Sequence, residues 1–214
     1  MIREDFYFMT TFYCMRHGKT EFNQAGIFQG GLVDSPLLDE GIKTAKKAGE
    51  YLKDVSFDRV IISPQKRAQD TAEAFLSVHP SNPEKVIEPN IREMEFGSWD
   101  GTLEKNYDGQ TQFEHLKHRP HLYDPSEFGG EDFNTLLTRT KNVFRDYAQK
   151  HPNDTILVVS HGLTLQTLLK HFQGLDLSKI REGELLGNTS ISIIETDNAE
   201  DFSVTRYNDL THVL

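Results

Sequence analysis

The sequence predicts an α/β fold with three αβα layers: a mostly parallel central sheet covered by helices on both faces. The first observation behind this is a pair of unbroken apolar runs, Thr10 to Met15 and Thr155 to Val159, which read as strands buried on both faces. The second is that strand-like runs alternate with stretches carrying apolar residues at helical spacing. The third concerns strand ends. Arg16-His17 follows the first strand, Ser63 leads to Arg67 after the second, and His161 follows the Val158-Val159 strand. In such sheets ligands collect beyond the carboxyl ends of the strands.

Taken in chain order, Thr10 to Met15 is a strand that enters a loop at Arg16-His17-Gly18. Asp39 to Val55 sets Ile42, Ala45, Gly49 and Leu52 at helical spacing, with Asp39 as the expected N-cap. Arg59 to Ile62 is β-branched and stops at Ser63-Pro64. That pair suits the N-cap and first-turn proline of a helix reaching about Val78, with Ala68, Ala72 and Phe75 inward. From Ser81 to Gly130, prolines, glycines and histidines divide the chain into loops and short elements. Asp132 to Lys150 is helical through Phe133, Leu136, Leu137, Thr140, Val143, Phe144 and Tyr147, and Pro152 closes it. The strand Thr155 to Val159 leads through Ser160-His161-Gly162 into a helix from Leu163 to Phe172. Thr189 to Ile194 and Phe202 to Tyr207, either side of Asp197-Asn198, read as a hairpin or edge strands. The chain is expected to be one domain, 1–214, with residues 1–8 a loose extension.

Acidic residues outnumber basic ones 33 to 23, a formal net charge of −10. Such a surface argues against nucleic acid or anionic membranes as partners. It also demands a local concentration of positive charge wherever an anion binds. Cys14, the single cysteine, rules out an internal disulfide and reads as a small buried apolar residue. No apolar run has the length of a membrane span, and Met1 to Phe8 does not resemble a secretory signal. The cytoplasm is the expected compartment.

The residues at the strand ends suit one chemistry. A phosphomonoester dianion repels nucleophiles, and its departing oxygen needs a proton, so catalysis requires a nucleophile, cations around the equatorial oxygens and an acid. A neutral imidazole is a good nucleophile near neutral pH, and a phosphorylated nitrogen leaves readily. Arg16 and Arg67 offer bidentate donors to phosphate oxygens. His161 adds a donor where a helix N-terminus favours an anion. Nearby guanidinium groups also hold His17 neutral before the ligand arrives.

These motifs resemble the histidine phosphatase superfamily, in its phosphoglycerate-mutase-like branch, from about Thr10 to His212. Arg16-His17-Gly18-Lys19-Thr20-Glu21-Phe22-Asn23 is similar to its opening signature. Phe28-Gln29-Gly30 and Asp34-Ser35-Pro36-Leu37 are similar to the segment that follows, and Ser63 to Ala72 to the stretch with the second phosphate arginine. Arg92 to Gly101 resembles the proton-donor segment, Gly129-Gly130-Glu131 with Arg139 a further recurrent piece, and Val159-Ser160-His161-Gly162 the second histidine.

The resemblance implies a phosphoglycerate-mutase-like fold and a phosphomonoesterase of the histidine acid phosphatase type. It makes His17 the phosphorylated nucleophile, with Arg16, Arg67, His161, Asn23 and Gly162 around the phosphoryl group. Glu93 becomes the acid and then the base for water. Glu95 competes for that role, since residues two apart on an extended segment face the same side. Gln29, Gly30 and Glu131 are candidate substrate contacts, and Glu131 with Arg139 is equally readable as a structural ion pair. Asp100 and Asp132 stand where glutamate and serine are common. Specificity is expected in the loops between Gly101 and Gly130. The substrate is expected to be a small phosphorylated metabolite, with no cofactor or metal. The acid segment and modest length favour a phosphatase over a phosphoglycerate mutase, and the complete residue set disfavours a silent phospho-ligand binder.

Other patterns lead elsewhere. Gly18-Lys19-Thr20 resembles the end of a P-loop, but Tyr13 stands where that motif needs glycine. His115, His118 and His121 recur every third residue, yet Pro120 argues against a helix there, so they read as an exposed loop or lid. Lys105, His115, Lys117, His118 and Arg119 are candidate cationic contacts to the distal part of a substrate. His79, His151 and His171 are expected at the surface, and Trp99 and Phe96 in packing or on the pocket wall.

Overall fold

The computed structural model describes residues 8–214, so the expected extension falls outside the described residues apart from Phe8. Six strands form one sheet: β1 (Thr10–Arg16), β2 (Arg59–Ile62), β3 (Glu84–Ile87), β4 (Thr155–Ser160), β5 (Ile191–Thr196) and β6 (Ser203–Asp209). Their order is β3-β2-β4-β1-β5-β6. The first four run parallel, while β5 is antiparallel to β1 and β6 to β5. Register then decides where the polar strand ends go. Arg16 pairs with Ser160 and Ile62 with Val159. The segments Arg16-His17, Ser63 and Ser160-His161 therefore leave the sheet side by side, at its carboxyl edge.

Alternation along the central strands fills two layers. Phe12, Cys14, Ile61, Ile156 and Val158 face helices α5 (Phe133–Lys150) and α6 (Gly162–Phe172) through Phe144, Leu165, Leu168 and Leu169. Met15, Val60, Ile62, Leu157 and Val159 face α2 (Asp39–Tyr51) and α3 (Lys66–Leu76) through Ala48, Ala68, Ala72 and Phe75. Burial on both faces explains why β1 and β4 read as unbroken apolar runs. A third cluster, with Phe28, Phe96, Trp99, Phe113, Tyr123 and Phe133, is formed largely from the segment between residues 94 and 133.

Several sequence expectations are corrected. The N-cap of α2 is Leu38, with Asp39 as the first helical residue, where its charge still complements the helix dipole. Ile42 is 38% exposed, on the outer side of α2. Helix α3 is capped by Gln65, not Ser63, whose hydroxyl is drawn into the site described below. The strand β3 and helix α4 (Thr111–His118) are among the short elements of the stretch from Ser81 to Gly130. Proline terminates α4 instead of forbidding it, because Pro120 falls beyond the last turn and Phe113 and Leu116 supply a buried face. His79 is buried, stacked on Phe75 and hydrogen-bonded to the Leu52 carbonyl at 2.9 Å. Asp132 is the N-cap of α5, accepting from the Asn134 and Thr135 amides, which explains an aspartate there.

Two glycines bring α2 onto the loop that joins β1 to the short helix α1 (Glu21–Ala25). A Cβ on Gly18 would lie 2.7 Å from the Gly41 carbonyl oxygen, and one on Gly41 would lie 2.5 Å from that of Lys19. Only paired glycines allow that approach.

Candidate active site

His17 leaves the end of β1 and is 3% exposed. Its Nδ1 lies 2.8 Å from the Gly18 carbonyl oxygen, which can only accept, so Nδ1 carries the proton. The neutral ring then has its lone pair on Nε2. The His161 ring sits 5.2 Å away, centroid to centroid.

The tautomer of His161 follows from a chain of three contacts that ends on a backbone carbonyl. Gln65 Nε2 donates to the Gly31 carbonyl at 3.1 Å, which turns Gln65 Oε1 toward Ser63 Oγ, 2.5 Å away. An amide oxygen only accepts, so the single hydroxyl proton of Ser63 goes to Gln65. Ser63 Oγ must then accept from His161 Nε2, at 2.6 Å. The neutral His161 ring consequently has its lone pair on Nδ1, which is buried without a partner among the described residues. The two imidazoles are thus fixed in opposite tautomers by two backbone carbonyls.

Both imidazoles are held well below the ordinary histidine range, first by burial, then by the Arg67 guanidinium; Arg16 comes next at His17, whereas at His161 it follows the His17 ring. Neutral rings result, as nucleophilic attack needs. The sign for stability follows directly. Between the depressed native values and about 6.5 the unfolded chain binds more protons, so stability rises with pH through that window and is lost on acidification. We expect urea midpoints to fall between pH 7 and pH 5, with a limiting slope of about 1.4 kcal/mol per pH unit for each ring. A midpoint unchanged or higher at pH 5 contradicts this.

The guanidinium groups differ in what they have free. Arg67 is 1% exposed. Its Nη1 donates to the Val33 carbonyl and Asp34 Oδ1, and its Nη2 to the Gln29 and Gly30 carbonyls. Those bonds use all four terminal N–H groups and leave only Nε–H, buried and without a partner. This corrects the expected two-pronged grip from Arg67, which has one prong to offer. Arg16 donates through Nη1 to the Leu186 carbonyl at 2.5 Å, and its Nε is likewise buried without a partner. A Cβ on Gly162 would fall 3.1 Å from that Nε, so glycine is what admits the arginine. Buried N–H groups without partners are costly, and the two from Arg16 and Arg67, unpartnered among the described residues beside His17, mark a place for an anion.

Neutral His161 cannot donate through Nδ1, so a bound dianion must draw a proton onto it. We expect sulfate, which brings no proton at pH 7.5, to bind with uptake of about one proton or more. Ser63→Ala frees the ring to place its own proton on Nδ1, so uptake drops by about one. Calorimetry in buffers of different ionisation enthalpy reads both numbers. Equal uptake by the two proteins rules out the tautomer assignment.

The two candidate acids are clearly separated. Glu93 lies on the wall of a cavity of about 200 Å³ that also includes Arg16, His17, Asn23, Gln29, Phe96 and Gly162. Its Oε1 accepts from the Met94 and Thr164 amides and lies 2.8 Å from the Thr164 hydroxyl, while Oε2 accepts only from the Leu163 amide at 3.1 Å. The N-terminus of α6 therefore binds a carboxylate, where the sequence suggested a bound phosphate. Glu95 pairs with Arg92 at 2.9 Å and is not on the cavity wall. The two carboxylates thus have different partners, and only Glu93 reaches the cavity.

Other expected contacts fall into place around this centre. Asn23 Oδ1 accepts from the Thr20 amide and Asn188 Nδ2, which points its own amide donors elsewhere. Gln29 reaches the cavity, although its amide is engaged with Thr20 and Ser35. Gly30 is not on the wall; its amide donates to Asp100 Oδ1 at 2.7 Å, which gives that aspartate its place. Glu131 is a correction. Both of its oxygens are held by Arg139, at 2.6 and 2.7 Å, and Arg139 also donates to the carbonyls of Asn90, Arg92 and Glu93. The pair supports the loop that carries Glu93, and neither Glu131 oxygen is free of Arg139. Of the five distal cations only Lys117 lines the cavity, with its ammonium 3.7 Å over the Phe113 ring. Trp99 is packed against Phe128, whereas Phe96 reaches the wall. His212 is buried beside Thr189 and Tyr51.

Glu104, Gln166, Arg181 and Leu185 also line the cavity and were missed from sequence. Gln166 had a signal: a lone amide in the run Leu163 to Leu169, otherwise leucine and threonine, and the structure buries it. Arg181, in the irregular stretch between α6 and β5, had none.

The profile of the histidine phosphatase superfamily (branch 1) matches residues 12–210. The Danio rerio protein named fructose-2,6-bisphosphatase TIGAR B is 33% identical over 72% of this chain, an overlap that spans only 56% of that relative. The Bacillus subtilis protein named uncharacterized phosphatase PhoE is 30% identical over 96% of this chain and 97% of its own. A solved phosphoglycerate mutase from Bacillus anthracis str. Sterne superposes with a TM-score of 0.82 at 29% identity, covering 99% of this chain and 98% of its own. With its two histidines and two arginines gathered at the carboxyl edge of this sheet, the chain belongs to the histidine phosphatase superfamily, branch 1.

Proposed function

We propose that the chain is a phosphomonoesterase that works through a phosphohistidine on a small phosphorylated metabolite. One observation carries the reading: three buried nitrogens without partners, on Arg16, Arg67 and His161, surround a histidine whose lone pair is on Nε2. In the first step His17 Nε2 attacks phosphorus and the bond to the leaving oxygen breaks. Glu93, entering this step protonated on its less engaged Oε2, gives that oxygen the proton. In the second step water loses a proton to Glu93 and attacks the phosphoryl group, and His17 Nε2 departs. Arg16, Arg67 and protonated His161 hold the equatorial oxygens throughout, with Asn23 beside them. The segment between Gly101 and Gly130, which contributes Glu104, Phe113, Leu116 and Lys117 to the wall, sets the fit of the leaving group.

A phosphoglycerate mutase would use the same pocket and return the group to a second hydroxyl. The solved mutase relative keeps that reading open. A panel of phosphomonoesters, followed by 3-phosphoglycerate with a trace of bisphosphate primer, separates the two. Free phosphate without isomer interconversion is the expected result; interconversion without phosphate release establishes the mutase instead.

A further inference from the structure

The loop that precedes β5 grips Arg16 and His17 by their backbone. The Thr189 amide donates to the Arg16 carbonyl at 3.0 Å and reaches the His17 carbonyl at 3.4 Å, and Asn188 Nδ2 donates to the His17 carbonyl at 3.0 Å. In return Arg16 donates its amide to the Ser190 carbonyl and its Nη1 to the Leu186 carbonyl. Thr189 makes its contacts from a left-handed backbone, with φ at 60°. A β-branched residue seldom adopts that conformation, so neighbouring structure must hold it there.

The C-terminal segment supplies the hold. Asn208 Oδ1 accepts from the Gly187 amide at 2.9 Å, and Leu210 packs so closely that a Cβ on Gly187 would lie 2.7 Å from its Cδ1. His212, 8% exposed, faces Thr189 itself, with Nε2 3.3 Å from Thr189 Oγ1. That hydroxyl lies 2.7 Å from the Asn188 carbonyl, which can only accept, so its one proton goes there. Oγ1 therefore accepts from His212, which donates through Nε2. Burial lowers the pKa of the ring, and its Nδ1, buried without a partner among the described residues, carries no proton near neutral pH. Helix α2 backs this arrangement: the Tyr51 ring lies 5.8 Å from that of His212, and Lys47 donates to the Val213 carbonyl.

We infer that His212 is a positioning residue for the nucleophile: its bond to Thr189 Oγ1 keeps Thr189 left-handed, and the Thr189 amide in turn fixes the backbone of Arg16 and His17. The effect on rate rests on the phosphatase reading above; the support of Thr189 does not. His212 acts through other residues, because it does not line the cavity, whereas Arg16 and His17 do. Without that donor Thr189 relaxes toward negative φ and its amide swings off the Arg16 carbonyl. A displacement of about 1 Å at a reacting group is worth ~10²-fold in rate.

The test follows p-nitrophenol release from p-nitrophenyl phosphate in a single turnover, which reports phosphorylation of His17, together with hydrogen exchange at the Thr189 amide. His212→Phe keeps a ring and loses the donor, so it should slow phosphorylation about 10-fold or more and speed the exchange. His212→Ala is read alongside, in case the phenyl ring does not fit. His212→Gln, whose amide donates from nearly the same place, should stay within about threefold of the unchanged enzyme. Thr189→Gly separates positioning from a merely structural role. Glycine takes a left-handed backbone unaided, so in that background His212→Phe should cost no more than about threefold. No slowing in His212→Phe and His212→Ala, no recovery in His212→Gln, or an undiminished loss in the Thr189→Gly background overturns the inference. If the unchanged enzyme releases no p-nitrophenol, the phosphatase reading falls, and exchange at the Thr189 amide still decides whether His212 supports it.

Discussion

Replacing His17 with alanine is expected to lower phosphate release by at least about four orders of magnitude, because no other group near the cradle can form the covalent intermediate. The four nearest polar side chains are excluded as substitutes by their bonding. Arg16 and Arg67 have no lone pair to offer. His161 Nδ1 has one, but it is the atom that must be protonated when the dianion arrives. Glu93 accepts amide N–H groups on both oxygens, and its Oε2 is the atom assigned to the leaving group's proton. The fold should survive, since the His17 ring makes one hydrogen bond, to the carbonyl of the next residue. Rapid-quench labelling with a radioactive phosphomonoester should trap an acid-labile, base-stable adduct on the unchanged enzyme and none on His17→Ala. Activity within tenfold of the unchanged enzyme, with the variant folded, would remove the nucleophile from the proposal.

The parts of this structure that were legible in sequence share a physical cause. Strands β1 and β4 are buried on both faces, so their sequences cannot alternate, and unbroken apolar runs announce them. Edge strand β3 has mostly exposed side chains and pairs only with β2, so Glu84 to Ile87 carries no such mark. Helix α4 buries only Phe113 and Leu116, too few for a periodic pattern to stand out from its charged residues. Within the site, His17, Arg16 and His161 were legible because each follows directly from a buried strand. Ser63 was misread for a reason of chemistry. Serine before proline is a good N-cap, and the same hydroxyl is equally good as a relay between an imidazole and an amide. Only the pairing of β2 with β4, which sets Ser63 beside His161, chooses between them. Glu131 shows the converse. Its spacing to Arg139 on the next helix was compatible with an ion pair from the outset, and the bidentate bond leaves it no other role.

Glu93→Gln should separate the two chemical steps. An alkyl phosphate needs a proton on its leaving oxygen, so its turnover is expected to fall by about 10²–10⁴-fold. The phenolate of p-nitrophenyl phosphate leaves without one, so His17 should still be phosphorylated by that ester at close to the normal rate. Water must then attack without a base, and the phosphohistidine should accumulate. The readout is a burst of p-nitrophenol equal to the enzyme concentration, followed by slow turnover. A structural cost accompanies the substitution. Glu93 accepts amide N–H groups on both oxygens, and the glutamine NH₂ must face one of them, leaving a buried donor unsatisfied at about 1–3 kcal/mol. Lower stability alone produces no burst, so the kinetics distinguish a chemical role from a structural one. Glu95→Gln, which removes only a half-exposed pairing with Arg92, should leave both esters within about threefold. If alkyl and aryl esters decline together in Glu93→Gln and no phosphoenzyme builds up, Glu93 only secures the start of α6, and the proton must come from elsewhere.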